Sequence, residues 1–163
     1  GLAYSARSTF RRPVLYPGTF QAWFQTKHAT AAFGTGIIVT EINRIRTEKC
    51  DAEIVENAKA GFISDVVNPF SSRNRIVNTF ADDHYTGRPD DYWENYTKNI
   101  AAVTPDDVLA AAQKYLHPDK LVFLLIGDPE AVQQGSDKHD ERFTDFGEIT
   151  NLALRDPMTL ELK

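Results

Sequence analysis

A change of hydrophobic period near Ala29 constrains this chain more than any other feature. Before it, Tyr4, Ala6, Ser8 and Phe10 share one face of an alternating segment, with Ser5, Arg7 and Thr9 on the other. Phe20, Ala22 and Phe24 then alternate with Gln21, Trp23, Gln25 and Lys27. A repeat of two belongs to a strand with one covered face, so these segments are expected as antiparallel neighbours in a sheet. Arg11 to Gly18, which holds Pro13, Pro17 and a glycine, reads as the loop between them. Trp23 falls on the polar side, where it either lies on neighbouring side-chain stems or meets a partner surface. After Ala29 the repeat becomes helical, with Phe33, Ile37, Ile38, Ile42 and Ile45 in one stripe that ends at Arg46-Thr47-Glu48-Lys49.

The remaining elements follow from caps and breakers. Asp51 can cap a second helix carrying Ile54, Ala58, Phe62 and Val66, which Pro69 should end or kink. Ser71 or Ser72 can cap a third, with Ile76, Val77 and Phe80. Gly87-Arg88-Pro89 breaks the chain, and Asp90 and Asp91 place negative charge at the start of a helix bearing Tyr92, Tyr96 and Ile100. Thr104-Pro105-Asp106-Asp107 is the clearest helix start: a hydroxyl cap, a proline in the first turn and two carboxylates. Its stripe is Val108, Ala111, Ala112 and Tyr115, and it stops at His117-Pro118. Leu121 to Ile126 is wholly apolar and closes at Gly127-Asp128, which predicts a buried strand. Pro129 to Lys163 is polar and reads as an extended tail with one short strand at Ile149 to Leu154. The order predicts an α+β fold, an antiparallel sheet covered on one face by helices, over residues 1–128, with 129–163 as the tail.

The length of 163 residues suits one domain. A formal charge of −5 and scattered basic residues argue against a nucleic-acid partner. The tightest basic cluster, Arg7, Arg11 and Arg12, reads as a solvated hairpin tip. No segment approaches the ~18 apolar residues of a membrane span, and the single Cys50 excludes an internal disulfide. The compartment stays open.

Catalytic signatures are absent from the residues themselves. His28, His84, His117 and His139 form neither H-E-x-x-H nor H-x-x-E-H, the spacings that set two imidazoles on one helix face beside a carboxylate. Asp82-Asp83-His84 are adjacent on a helix, so their side chains do not converge on one ion. Asp90-Asp91 and Asp106-Asp107 sit where helix starts favour negative charge, and nothing nearby in sequence activates Cys50. No catalytic residue and no metal ligand is expected in this chain.

Several pieces together resemble the C-terminal, non-zinc-binding repeat of the insulinase/pitrilysin family of zinc metallopeptidases. They are Gly1-Leu2-Ala3-Tyr4-Ser5, then Ala52-Glu53-Ile54-Val55-Glu56-Asn57-Ala58-Lys59, then Gly87-Arg88-Pro89-Asp90-Asp91-Tyr92-Trp93. Ala102-Val103-Thr104-Pro105-Asp106-Asp107-Val108, Ala112-Gln113-Lys114-Tyr115-Leu116 and Gly127-Asp128 continue the series in order. Leu154-Arg155-Asp156-Pro157-Met158-Thr159-Leu160 looks like the tail of bacterial members. The resemblance covers most of one repeat without its start; Gly1-Leu2-Ala3-Tyr4 reads as an apolar turn running directly into a strand.

The resemblance implies half of a peptidase clamshell built from repeated α+β units. One half carries the zinc, and the metal-free half offers an arginine and a tyrosine to the substrate backbone. Tyr4 falls on that tyrosine, while the arginine would lie before Gly1. The implied partners are a zinc-bearing peptidase half, on the same chain or another, and a peptide substrate; zinc is expected in that partner half and not here. Read without the resemblance, Tyr4 is first of all a strand aromatic covering the sheet in phase with Phe10. Two functions follow: a non-catalytic, substrate-binding half of a zinc-dependent metallopeptidase, or a structural or assembly domain that keeps the fold and contributes no chemistry. Self-association through exposed sheet is a further expectation.

Overall fold

The computed structural model describes residues 2–11 and 16–162. β1 (Ala3–Phe10) and β2 (Phe20–Thr26) form a two-stranded antiparallel sheet, as the alternation predicts. Phe10 stands opposite Phe20, Ser8 opposite Ala22 and Ala6 opposite Phe24; on the other face Thr9 meets Gln21 and Arg7 meets Trp23. The Phe10 and Phe20 rings lie 4.9 Å apart. The Arg7 guanidinium carbon lies 5.6 Å from the Trp23 ring centroid, so the indole rests beside a neighbouring side chain. Along β2, Phe20, Ala22, Phe24 and Thr26 are half-buried and the residues between them exposed. The cover is α1 (Ala31–Thr47), whose Gly34 approaches so closely that a Cβ there would stand 2.5 Å from the Phe24 ring. Six α-helices among the described residues, with this sheet, make the fold α+β.

The chain divides into two compact units. The first comprises residues 1–10, 20–41 and 120–163. Its buried residues, among those described, are Ala32, Gly34, Thr35 and Phe143. His139 stacks on Phe33 with ring centroids 3.8 Å apart, and Phe123 and Phe143 both pack against Phe146. The segment from 129 is less uniform than an extended tail. α6 (Pro129–Gln134) starts on an Asp128 cap that accepts from the Glu130 and Ala131 amides, and it packs on a 3-10 turn at His28–Thr30. A second 3-10 turn covers Phe143–Phe146. No strand forms over 149–154.

Leu121 to Ile126 corrects the sequence reading. It belongs to no sheet among the described residues, and Val122, Leu124 and Ile126 are 93%, 75% and 95% exposed. Phe123 and Leu125 are less exposed, at 37% and 44%, and the Phe123 and Phe146 ring centroids lie 5.5 Å apart. The run therefore keeps the alternation of a strand. It lacks the ladder, because the sheet of the described residues consists of β1 and β2 alone.

The second unit comprises residues 11–19 and 42–119. It holds α2 (Ala52–Asp65), α3 (Arg73–Thr86), α4 (Tyr92–Ala101) and α5 (Pro105–Tyr115). α2 ends before Pro69, which sits in a 3-10 turn at Asn68–Phe70. Ser72, not Ser71, caps α3 by accepting from the Arg75 amide. Gly87 closes α3 in the left-handed conformation (φ 64°), and its amide bonds back to carbonyls of that helix. Asp51 and Asp91 stand at the starts of α2 and α4 without side-chain bonds to the helix amides, and their negative charge suits those positions. Ile42, Val55, Ala112 and Leu116 are the buried apolar residues. Lys49 pairs with Asp106 at 2.7 Å, and the Gln113 amide donates to the Arg46 carbonyl at 3.1 Å.

Candidate functional site

Tyr4 owes its position to an irregularity in the β1–β2 ladder. Ala3 pairs with Thr26 and Ser5 with Gln25, so β1 advances two residues where β2 advances one. Tyr4 is the residue in excess. A bulge of this kind leaves one residue outside the ladder and re-aims its side chain. Tyr4 is 79% exposed, so its phenol is presented to solvent and does not cover the sheet. Alternation alone assigns it to the face of Phe10, which is itself 59% exposed.

The backbone leading into the bulge is held by hydroxyls. Thr26 Oγ1 donates to the carbonyl of Leu2, and Thr26 Oγ1 lies 2.8 Å from Thr30 Oγ1 at the end of the 3-10 turn before α1. What this arrangement offers chemically is an exposed phenol O–H, a hydrogen-bond donor and acceptor near the start of a strand.

The other polar residues singled out in sequence are engaged structurally. Asp83 accepts from Arg88 and from the Trp93 indole, each at 2.5 Å. Asp91 accepts from the Asn95 side chain at 2.8 Å. Asp107 closes a capping box with Thr104, and hydrogen bonds from the Thr104 hydroxyl and amide hold its carboxyl below the usual aspartate range. His139 lies flat on Phe33, and Cys50 is half-buried. Among the described residues no three His, Cys, Asp or Glu side chains converge as a metal site would require.

Sequence reasoning missed an open cleft of about 470 Å³ in the first unit. Phe33, Ile37 and Phe146 form its apolar wall, and Glu41, Glu141 and Asp145 stand around it. Asp145 is engaged, accepting from the Arg142 amide at 2.7 Å. No local signal marks the cleft, because it joins α1 to residues near 140 that only folding brings together. Tyr4 does not line it.

No family model matches the chain, and a search of curated proteins finds no match.

Proposed function

We propose that this chain is the non-catalytic, substrate-binding half of a zinc-dependent metallopeptidase acting on peptides or small unfolded proteins. The observation that carries the reading is the exposed, bulge-mounted phenol of Tyr4, at the position the sequence resemblance gives to a substrate-contacting tyrosine. The α+β architecture is consistent with it. In this reading the zinc that polarises the scissile carbonyl and activates water would be held by the partner half. The task of this chain is positioning. The Tyr4 hydroxyl donates to the substrate carbonyl oxygen, and the bond strengthens as negative charge develops there.

The test is peptide cleavage by the zinc-bearing half, alone and mixed with this chain. Activity is expected only in the mixture, and Tyr4→Phe should lower kcat by about 10²-fold, the effect of removing one oxyanion donor. A formed complex that cleaves a range of unfolded peptides equally well with Tyr4→Phe, or none at all, would instead favour the assembly-domain reading.

A further inference from the structure

A residue outside the ladder takes its direction from its flanks, and both flanks of Tyr4, Ala3 and Ser5, are ladder-paired. On one side Ser5 is fixed by pairing with Gln25. On the other, the Leu2 carbonyl is held by the Thr26 hydroxyl. A threonine hydroxyl carries a single hydrogen. Thr26 commits its own to Leu2, so in the 2.8 Å contact between Thr26 and Thr30 the donor is Thr30. The competing acceptor for Thr30, the Lys27 carbonyl, is farther at 3.3 Å. The result is a directed relay, Thr30 to Thr26 to the Leu2 carbonyl, running from the residue before α1 to the backbone just before the bulge. Thr26 is half-buried at the end of β2 and is also the ladder partner of Ala3.

We infer that Thr26 is a positioning residue for Tyr4: its hydroxyl fixes the approach of the chain to the bulge and so aims the phenol. The inference rests on the substrate-contacting reading of Tyr4, and it extends the site from one side chain to a tyrosine with a two-threonine support. Valine at position 26 keeps the β-branched shape and removes the hydrogen bond; serine keeps the bond and trims the methyl.

The experiment has two arms. In the chain by itself, ¹⁵N relaxation at Tyr4 and amide exchange at Ser5 are measured for the parent, Thr26→Val and Thr26→Ser. Thr26→Val should speed Ser5 exchange about tenfold, the worth of one hydrogen bond, and lower the Tyr4 order parameter, with Phe24 and Ala22 unchanged. Thr26→Ser should restore both. If Thr26→Val also frees Phe24, Thr30→Val replaces it; this variant leaves the Leu2 bond but releases the hydroxyl that orients it, and a smaller loosening at Tyr4 is expected. No loosening at Tyr4 in either variant overturns the inference. In the mixture with the zinc-bearing half, Thr26→Val should lower kcat about tenfold with KM little changed, and have no further effect once Tyr4 is Phe. An equal loss in the Tyr4→Phe background marks a general structural role and also overturns it. An active mixture indifferent to Tyr4→Phe overturns the substrate reading, whatever the relaxation data show.

Discussion

The indole N–H of Trp93 donates to one carboxylate oxygen of Asp83 at 2.5 Å, across the break between α3 and α4. The second oxygen takes the Arg88 guanidinium, which also lies 4.6 Å from the Tyr92 ring centroid. Phe70 meets the Trp93 ring edge-on at 5.1 Å. One carboxylate thus joins a helix, its capping loop and the aromatic cluster of the next helix. Asp83→Ala leaves a largely buried guanidinium and an indole N–H without their acceptor, and should cost about 2 kcal/mol. Asp83→Asn, which keeps one acceptor oxygen, should cost less. Urea unfolding followed by tryptophan fluorescence reads both, and an unchanged midpoint for Asp83→Ala would refute the assignment.

Gly34 is where helix and sheet come closest. A Cβ there would stand 2.5 Å from the Phe24 ring, so Gly34→Ala should destabilise the protein by about 2 kcal/mol through overpacking. Phe24→Leu in the same molecule should return part of that loss. Simple additivity in the thermal midpoints of the two variants would contradict the contact.

The capping box at α5 predicts a pH dependence. The folded-state pKa of Asp107 is lowered by its bonds from Thr104. Its contribution is therefore present above the ordinary aspartate range, near pH 4, and is lost as pH falls through the lower folded value. Thr104→Ala should cost about 1 kcal/mol near neutrality and should weaken the loss of stability on acidification. Denaturant midpoints between pH 7 and 2.5 test this; parallel curves for parent and variant would show that Asp107 is not coupled to the cap.

Val122, Leu124 and Ile126 form an exposed apolar row without charge or proline, the composition of a segment prone to pairing with other strands. The protein should bind a hydrophobic dye and show concentration-dependent sedimentation. Val122→Lys with Ile126→Lys should reduce both while leaving far-ultraviolet circular dichroism unchanged. Identical sedimentation of parent and variant across concentrations would dissociate this row from any self-association.

Local chemistry made most elements legible. Alternation located β1 and β2, and Thr104-Pro105-Asp106-Asp107 marked α5 because the hydroxyl, the proline and the carboxylate each act within one turn. Two local signals went unused or misled. Asp128-Pro129 carries the same cap-then-proline pattern and starts α6 in what composition suggests is tail; Asp51 has the right residue type without a capping bond. What sequence could not supply was pairing. The Tyr4 bulge exists only in the register between two strands, and Leu121 to Ile126 has a strand's alternation without the ladder that would bury it. For the site the division is the same: the phenol of Tyr4 was visible in sequence, its outward aim and its threonine support were not.

The interleaving of the two units bears on how the polypeptide is made. Most of the second unit, 42–119, is one uninterrupted stretch, so its helices can find one another as soon as they emerge. The first unit takes residues 1–10 and 20–41 and then nothing until 120. The hairpin that carries Tyr4 is thus synthesised early, yet α1 meets the ring of His139 only after the intervening helices have been translated. Until residues 120–163 are made, the hairpin and the start of α1 lack the rest of their unit.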